Sequence, residues 1–175
     1  MADEKLLTAL WHFAVTTYLG EGVQAECLSV QDRFGVDVNL LLFAAYAGHE
    51  GLVLTAQDIA SAGESVDAWH ADVVRSLRHS RQRLKGWAAG EDEIALQAGG
   101  LREQVKKSEL KAEQIELFML WNWLQGQRSS LARGERDAAI AGNLREVLAR
   151  CGATDVPESI VPRLVSAARK NEIKR

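Results

Sequence analysis

The stretch from Leu28 to Gly48, LSVQDRFGVDVNLLLFAAYAG, limits most tightly what this chain can fold into. A polar, charged passage runs directly into Leu40 to Ala47, whose apolar groups occupy the whole circumference of a helix. Left in water, each large side chain there would cost about 1.5–3 kcal/mol. A helix that is apolar all round therefore has to be enclosed by other elements. Asp37 stands just ahead of it, placed to cap the helix by accepting from the free backbone N–H groups two and three residues on. Gly48 reads as its end. The fold class that follows is all-α, a single-domain bundle of about seven to nine helices around a buried central helix, Asn39 to Ala47. The domain is expected over residues 1–170, with residues 171–175 a frayed C-terminal tail.

Helical periodicity accounts for nearly all the remaining sequence, and no convincing strand alternation is present. A first helix, about Asp3 to Leu19, places Leu6, Leu10, Phe13, Ala14 and Thr17 on one face. A second carries Val23, Cys27, Val30 and Phe34 and stops at Gly35. Thr55 is placed to cap a short helix that Gly63 interrupts, and Ser65 to cap a long one whose core stripe is Val66, Trp69, Val73, Leu77, Ser80, Leu84 and Trp87. Acidic Glu91, Asp92 and Glu93 suit the first turn of the next helix. Adjacent Gly99 and Gly100 predict a break in it, since glycine costs about 1 kcal/mol in a helix interior.

Beyond that break Leu110, Leu117, Trp121 and Leu124 form one apolar stripe. Ala112, Ile115, Met119 and Trp123 form another on nearly the opposite side, which implies either a sandwiched helix or a homodimer contact. Gly126 to Gly134 reads as a loop rich in Ser and Arg. Ile140, Leu144, Val147, Leu148 and Cys151 then mark a helix that Gly152 closes. Pro157 and Pro162 each suit the first turn of a short helical piece between Val156 and Lys170.

Bulk properties exclude several function classes. The net charge of −3 argues against a general nucleic-acid binder, which needs a basic surplus to displace counterions from phosphate. No run reaches the ~18–20 apolar residues that span a bilayer, and Met1 to Lys5 has no cationic segment followed by an apolar run. A cytoplasmic protein without membrane attachment is expected. Cys27 and Cys151 fall outside any C-x-x-C spacing and read as reduced thiols.

Motifs for chemistry are lacking. Of the four histidines, His12, His49, His70 and His79, only His70 comes near metal-ligand spacing, in Asp67-Ala-Trp-His70, an imperfect half of a di-iron motif. Neither a Gly-x-Ser-x-Gly elbow nor a phosphate loop occurs. No metal, cofactor or catalytic residue is expected, and the reading leans away from an enzyme.

Two clusters stand out. Arg75, Arg78, Arg81 and Lys85 gather on one side of the Ser65–Trp87 helix, either as a solvated face or as a site for an acidic protein partner, with RNA or ribosome association a further alternative. Gln31, Asp32, Arg33, Asp37 and Asn39 cluster at the turn into the central helix, where they satisfy the turn or line a polar pocket for a small molecule. The function expected is that of a non-catalytic binding or adaptor protein with a protein partner. The alternative is a small-molecule-binding protein or enzyme using the Asp32–Asn39 turn.

Several of these segments resemble a family. Trp11-His-Phe-Ala14, Val23 to Leu28, Gln31-Asp32, Asp37-Val-Asn-Leu-Leu-Leu-Phe43, Trp69, and Val73-Val-Arg-Ser-Leu-Arg78 are similar to a small gammaproteobacterial family of unknown function. The likeness covers most of the first hundred residues and continues more loosely through Glu109 to Glu113. It implies a shared fold unit and a bacterial cytoplasm, and it carries over no catalytic residue.

Overall fold

A computed structural model describes residues 4–153, 155 and 157–172. The fold is all-α. After a 3-10 turn at Glu4–Leu6 come α1 (Ala9–Tyr18), α2 (Val23–Phe34), α3 (Val38–His49), α4 (Ala56–Glu64) and α5 (Asp67–Trp69). A π-helical turn at His70–Val74 leads into α6 (Arg75–Trp87), and then α7 (Glu93–Gln127), α8 (Arg136–Arg150), α9 (Pro157–Ile160) and α10 (Pro162–Lys170). Among the described residues the strands are two short ones, β1 (Leu52–Val53) and β2 (Ala132–Arg133), paired antiparallel. The expected start of the first helix at Asp3 lies outside the described residues, as do Val156 and Ile173 to Arg175 of the expected tail. No helix among the described residues is long and apolar enough to cross a membrane.

The residues group into two compact units, Met1–Ser65 with Leu117–Arg175, and Val66–Glu116. In the first, α3 is the central helix: every residue from Asn39 to Gly48 is buried, and α1, α2, α4, α8 and α10 pack around it. Asp37 starts it as expected from its position, its carboxylate accepting from Asn39 N at 2.9 Å. Phe13 of α1 meets Tyr46 edge to face, with ring centroids 5.5 Å apart.

The end of α7 covers α3 with aromatic rings. Trp121 lies 5.9 Å from Tyr46 and Trp123 5.9 Å from Phe43, centroid to centroid, and the Trp123 indole N–H donates to Ser61 Oγ at 3.2 Å. Leu117, Leu120 and Leu124, on either side of these rings in sequence, are buried. Trp123, expected on a possible homodimer stripe with Ala112, Ile115 and Met119, is thus committed to its own chain, and Ala112 is buried too.

Gly48 does not end α3, which continues to His49. Its role is close approach: a Cβ there would come within 2.5 Å of the Ile140 backbone in α8. Asn143, fully buried on the same helix, accepts from Leu54 N at 2.8 Å and donates to Leu52 O at 2.9 Å and Ala44 O at 3.2 Å. One side chain thereby satisfies three backbone groups at the point where β1 leaves α3, as buried polar groups require.

The last helix is held at both ends by other helices. At its start Glu26 of α2 accepts from the backbone N–H groups of Arg163 at 2.9 Å and Leu164 at 3.0 Å, supplying the cap that Val161 cannot. Just past its end, Asn171 is buried and donates to Phe13 O at 3.2 Å and Thr17 Oγ1 at 2.8 Å. Asn171, expected in a frayed tail, is pinned to α1.

The stretch from Ser65 to Trp87 departs from expectation in two ways. Ser65 is in the right-handed helical region and closes α4, its hydroxyl donating to Ala62 O at 2.6 Å, so it cannot serve as the N-cap of the following helix. The π turn then closes with Arg75 N donating to His70 O and adds one residue to the helix. An extra residue rotates everything after it by about 100°. Ser80 and Trp87, expected in the core stripe, are exposed, Trp87 by 66%, while Arg78 and Arg81 turn inward.

The predicted break at Gly99–Gly100 is absent, and α7 runs unbroken from Glu93 to Gln127. Asp92 starts it by accepting from Ala95 N at 2.8 Å. The good helix formers from Leu101 to Glu116 on one side and Glu93 to Gln97 on the other offset two glycines' conformational cost.

Candidate functional site

The expected polar turn is split between two surroundings. Asp32 and Arg33 are exposed on the last turn of α2, where the Arg33 guanidinium lies 4.8 Å from the Phe34 ring centroid. Asp37 is half-buried as the α3 cap, Asn39 is buried, and Gln31 contributes its carbonyl to the αL glycine stop, accepting from Gly35 N at 2.9 Å. Asp37 and Asn39 are brought together by capping, while Asp32 and Arg33 face solvent.

The expected basic face is half neutralised within the second unit. Arg78 donates to Glu109 at 3.0 Å and Glu113 at 2.7 Å, and Arg81 donates to Glu109 through both Nε and Nη2. Burial alone would raise the Glu109 carboxyl, but hydrogen bonds and charge from Arg81 and Arg78 outweigh it and hold that group below the ordinary carboxylate value. Glu113 goes the other way, raised by burial against the opposing charge of Arg78. Arg75 and Lys85 stay exposed. Nearby in the same unit, His70 Nδ1 lies 2.8 Å from Oε1 of Glu116, whose side chain has no exposed surface, and the Trp69 indole N–H donates to Ala112 O at 3.0 Å.

A polar cleft of about 430 Å³ opens in the first unit, lined by His49, Glu50, Arg128, Arg133, Arg136, Asn171 and Glu172. Five element ends deliver these residues. His49 closes α3 and Glu50 follows it, Arg128 follows α7, Arg133 sits on β2, Arg136 opens α8, and Asn171 follows α10. The β1–β2 pairing matters here, because Val53 opposite Ala132 and Leu52 opposite Arg133 fix where the loop between α7 and α8 returns.

Each arginine has a different anchor. Arg128 Nη2 donates to the Glu50 carboxylate at 2.8 Å, and Arg133 Nη1 to the Glu50 carbonyl at 3.2 Å. Arg136 Nη2 lies 2.7 Å from His49 Nδ1, 2.7 Å from Arg169 O and 3.2 Å from Asn171 O. Arg136 thereby meets the carbonyls at the end of α10, where the helix dipole favours a cation. Its Nε is buried without an acceptor among the described residues.

His49 Nδ1 also lies 3.1 Å from Ala168 O. A single ring nitrogen can accept from Arg136 or donate to that carbonyl, not both at once. An imidazolium would set a proton against the guanidinium in either case. Burial lowers the His49 pKa first, the Arg136 charge lowers it further, and the Ala168 carbonyl and Glu50 oppose this. Beside them burial pushes the Tyr46 phenol up to about 12, with Glu50 adding to the effect and Arg128 working against it.

Thiol chemistry is not offered elsewhere. Cys27 and Cys151 are free, and burial, reinforced by Glu26, pushes the Cys27 thiol up to about 12. A thiol so raised is a poor nucleophile at neutral pH.

None of the cleft residues had been singled out as a site by spacing. Arg128 and Arg133 do fall in the Ser- and Arg-rich stretch read as a loop, which is the one signal the sequence offered.

A family model described as Protein of unknown function (DUF2390) matches residues 9–120. The match includes His49 and Glu50 but stops before Arg128, Arg133, Arg136 and Asn171. No curated protein and no solved structure matches the chain.

Proposed function

This chain belongs to the DUF2390 family of proteins of unknown function, and from its own geometry we propose that it is a non-catalytic binding protein whose site is the arginine cleft of the first unit. The observation that carries this reading is the convergence of three guanidinium groups and a histidine on one cavity of small-molecule size. The other two clusters support it by contrast. Arg78 and Arg81 are paired with Glu109 and Glu113, and one carboxylate oxygen of Asp37 caps α3.

Binding fits these residues better than catalysis. Arginine stays protonated in proteins and transfers no proton at neutral pH, and the Nδ1 of His49 is already engaged by Arg136 or Ala168. The reading places the protein in the cytoplasm, where two free cysteines persist as thiols.

Thermal denaturation against a mixed library of neutral, cationic and anionic metabolites tests the proposal. At least one compound should raise the midpoint of the wild type and fail to do so for Arg133→Glu. A library with no such compound removes the cleft as the binding site.

A further inference from the structure

We propose that the ligand of this cleft is a small molecule recognised through an oxyanion group, a carboxylate or a phosphate. The inference rests on the cleft being the binding site and adds the chemistry of what it takes.

The charge balance of the lining is the first argument. Arg128 is matched by the Glu50 carboxylate, at 2.8 Å. Arg133 and Arg136 instead meet neutral acceptors among the described residues: the Glu50 carbonyl, the His49 ring nitrogen, and the carbonyls of Arg169 and Asn171. Hydrogen bonds to neutral groups hold a guanidinium in place without cancelling its charge. Against these two cations the lining sets one further carboxylate, Glu172, which is exposed. The cleft therefore carries excess positive charge although the whole chain carries −3.

The anchoring is the second argument. A guanidinium presents five N–H donors in a flat fork, and the contacts above occupy one terminal nitrogen each of Arg128, Arg133 and Arg136. Arg133 is exposed, so its remaining donors reach solvent and can pair with two oxygens of one carboxylate or phosphate. Its backbone is fixed by pairing with Leu52, so the donor stands on a held element. Burial is the main cause of the lowered His49 pKa, and the charge of Arg136 beside it adds to that lowering. A polynucleotide is disfavoured, since phosphate tracking needs a stripe of cations and this cluster is confined to one cleft.

The test is isothermal titration of the purified chain with inorganic phosphate and, separately, citrate, each against potassium chloride at matched ionic strength. Wild type is expected to bind at least one of the two, phosphate marking a phosphoryl ligand and citrate a carboxylate one. Arg133→Gln, which removes an exposed side chain, should weaken that binding about tenfold or more, as loss of a charge-assisted hydrogen bond does. Arg136→Gln should weaken it too, with circular dichroism to verify that α10 stays docked, and Arg133→Lys should recover part of the loss.

Binding that Arg133→Gln leaves unchanged, or that chloride abolishes at equal ionic strength, means an adventitious ion only and overturns the inference. If neither anion binds while a neutral or cationic compound raises the melting midpoint in an Arg133-dependent way, the oxyanion inference falls and the cleft reading stands. If nothing binds, both fall.

Discussion

Gly48 of α3 lies against Ile140 of α8 so closely that a Cβ would sit 2.5 Å from both the Cα and the backbone N of Ile140, and 2.8 Å from the carbonyl carbon of Ala139. The obstructing atoms are helix backbone, which cannot step aside as a flexible side chain can. Gly48→Ala has to force the two helices apart, and the expected cost is about 1–3 kcal/mol, as for overpacked cores. Urea unfolding followed by circular dichroism measures it. An unchanged midpoint would mean the α3–α8 crossing is looser than these distances.

Gly100 behaves in the opposite sense. Nothing lies within 4 Å of a Cβ built there, and the residue sits inside α7 with no positive φ. Gly100→Ala should therefore stabilise the protein by about 0.5–1 kcal/mol, because alanine loses less backbone freedom on entering a helix. A lower urea midpoint for this variant would show that the glycine is needed for a bend.

The pH dependence follows from His49. Its ring faces Phe13, Glu50, Arg136 and the Ala168 carbonyl, and its folded pKa is lowered from 6.5 by burial first and Arg136 second. A lowered folded pKa means the unfolded chain binds more protons, so this group's contribution is complete above about 6.5 and is lost as pH falls through the folded value. Thermal midpoints should drop on acidification from pH 7 to pH 5.5, and His49→Gln should flatten that drop. Glu109, also lowered but from 4.5, acts in a separate window further down. A wild-type profile that is flat between pH 7 and pH 5.5 contradicts the assignment.

Cys27 and Cys151 should separate by alkylation. The Cys27 thiol is buried and pushed up to about 12, whereas Cys151 is half-buried, raised by burial and by Asp37 against the opposing charge of Arg150. Iodoacetamide at pH 8 should label Cys151 slowly in the native protein and Cys27 only after unfolding, read by peptide mass spectrometry. Rapid native labelling of Cys27 would mean that α2 opens readily.

The parts of this fold that were legible in the sequence were those set by local chemistry. Asp37 ahead of an all-apolar run specified the buried α3, Thr55 specified the start of α4, and Gly35 specified a helix stop. Gly48 was misread because terminator and close-contact glycines look alike until the neighbouring helix is in place. The π turn at His70–Val74 has no signature in residue type, yet by adding one residue it rotated α6 so that Ser80 and Trp87 face out and Arg78 and Arg81 face in, while Leu77 and Leu84 stay half-buried. The cleft was hidden for a further reason: its residues come from positions 49, 50, 128, 133, 136, 171 and 172, and no spacing rule joins the ends of five elements.

The fastening of α10 bears on how the chain is made. Glu26 waits for Arg163 and Leu164, and the carbonyl of Phe13 and hydroxyl of Thr17 wait for Asn171, a partner 158 and 154 positions away respectively. During synthesis α1, α2 and α4 emerge early, but α1 and α2 cannot close their final polar contacts until residue 171 has left the ribosome. Closure of the first unit is thus a late event, governed by long loops rather than by helix formation, which completes far sooner.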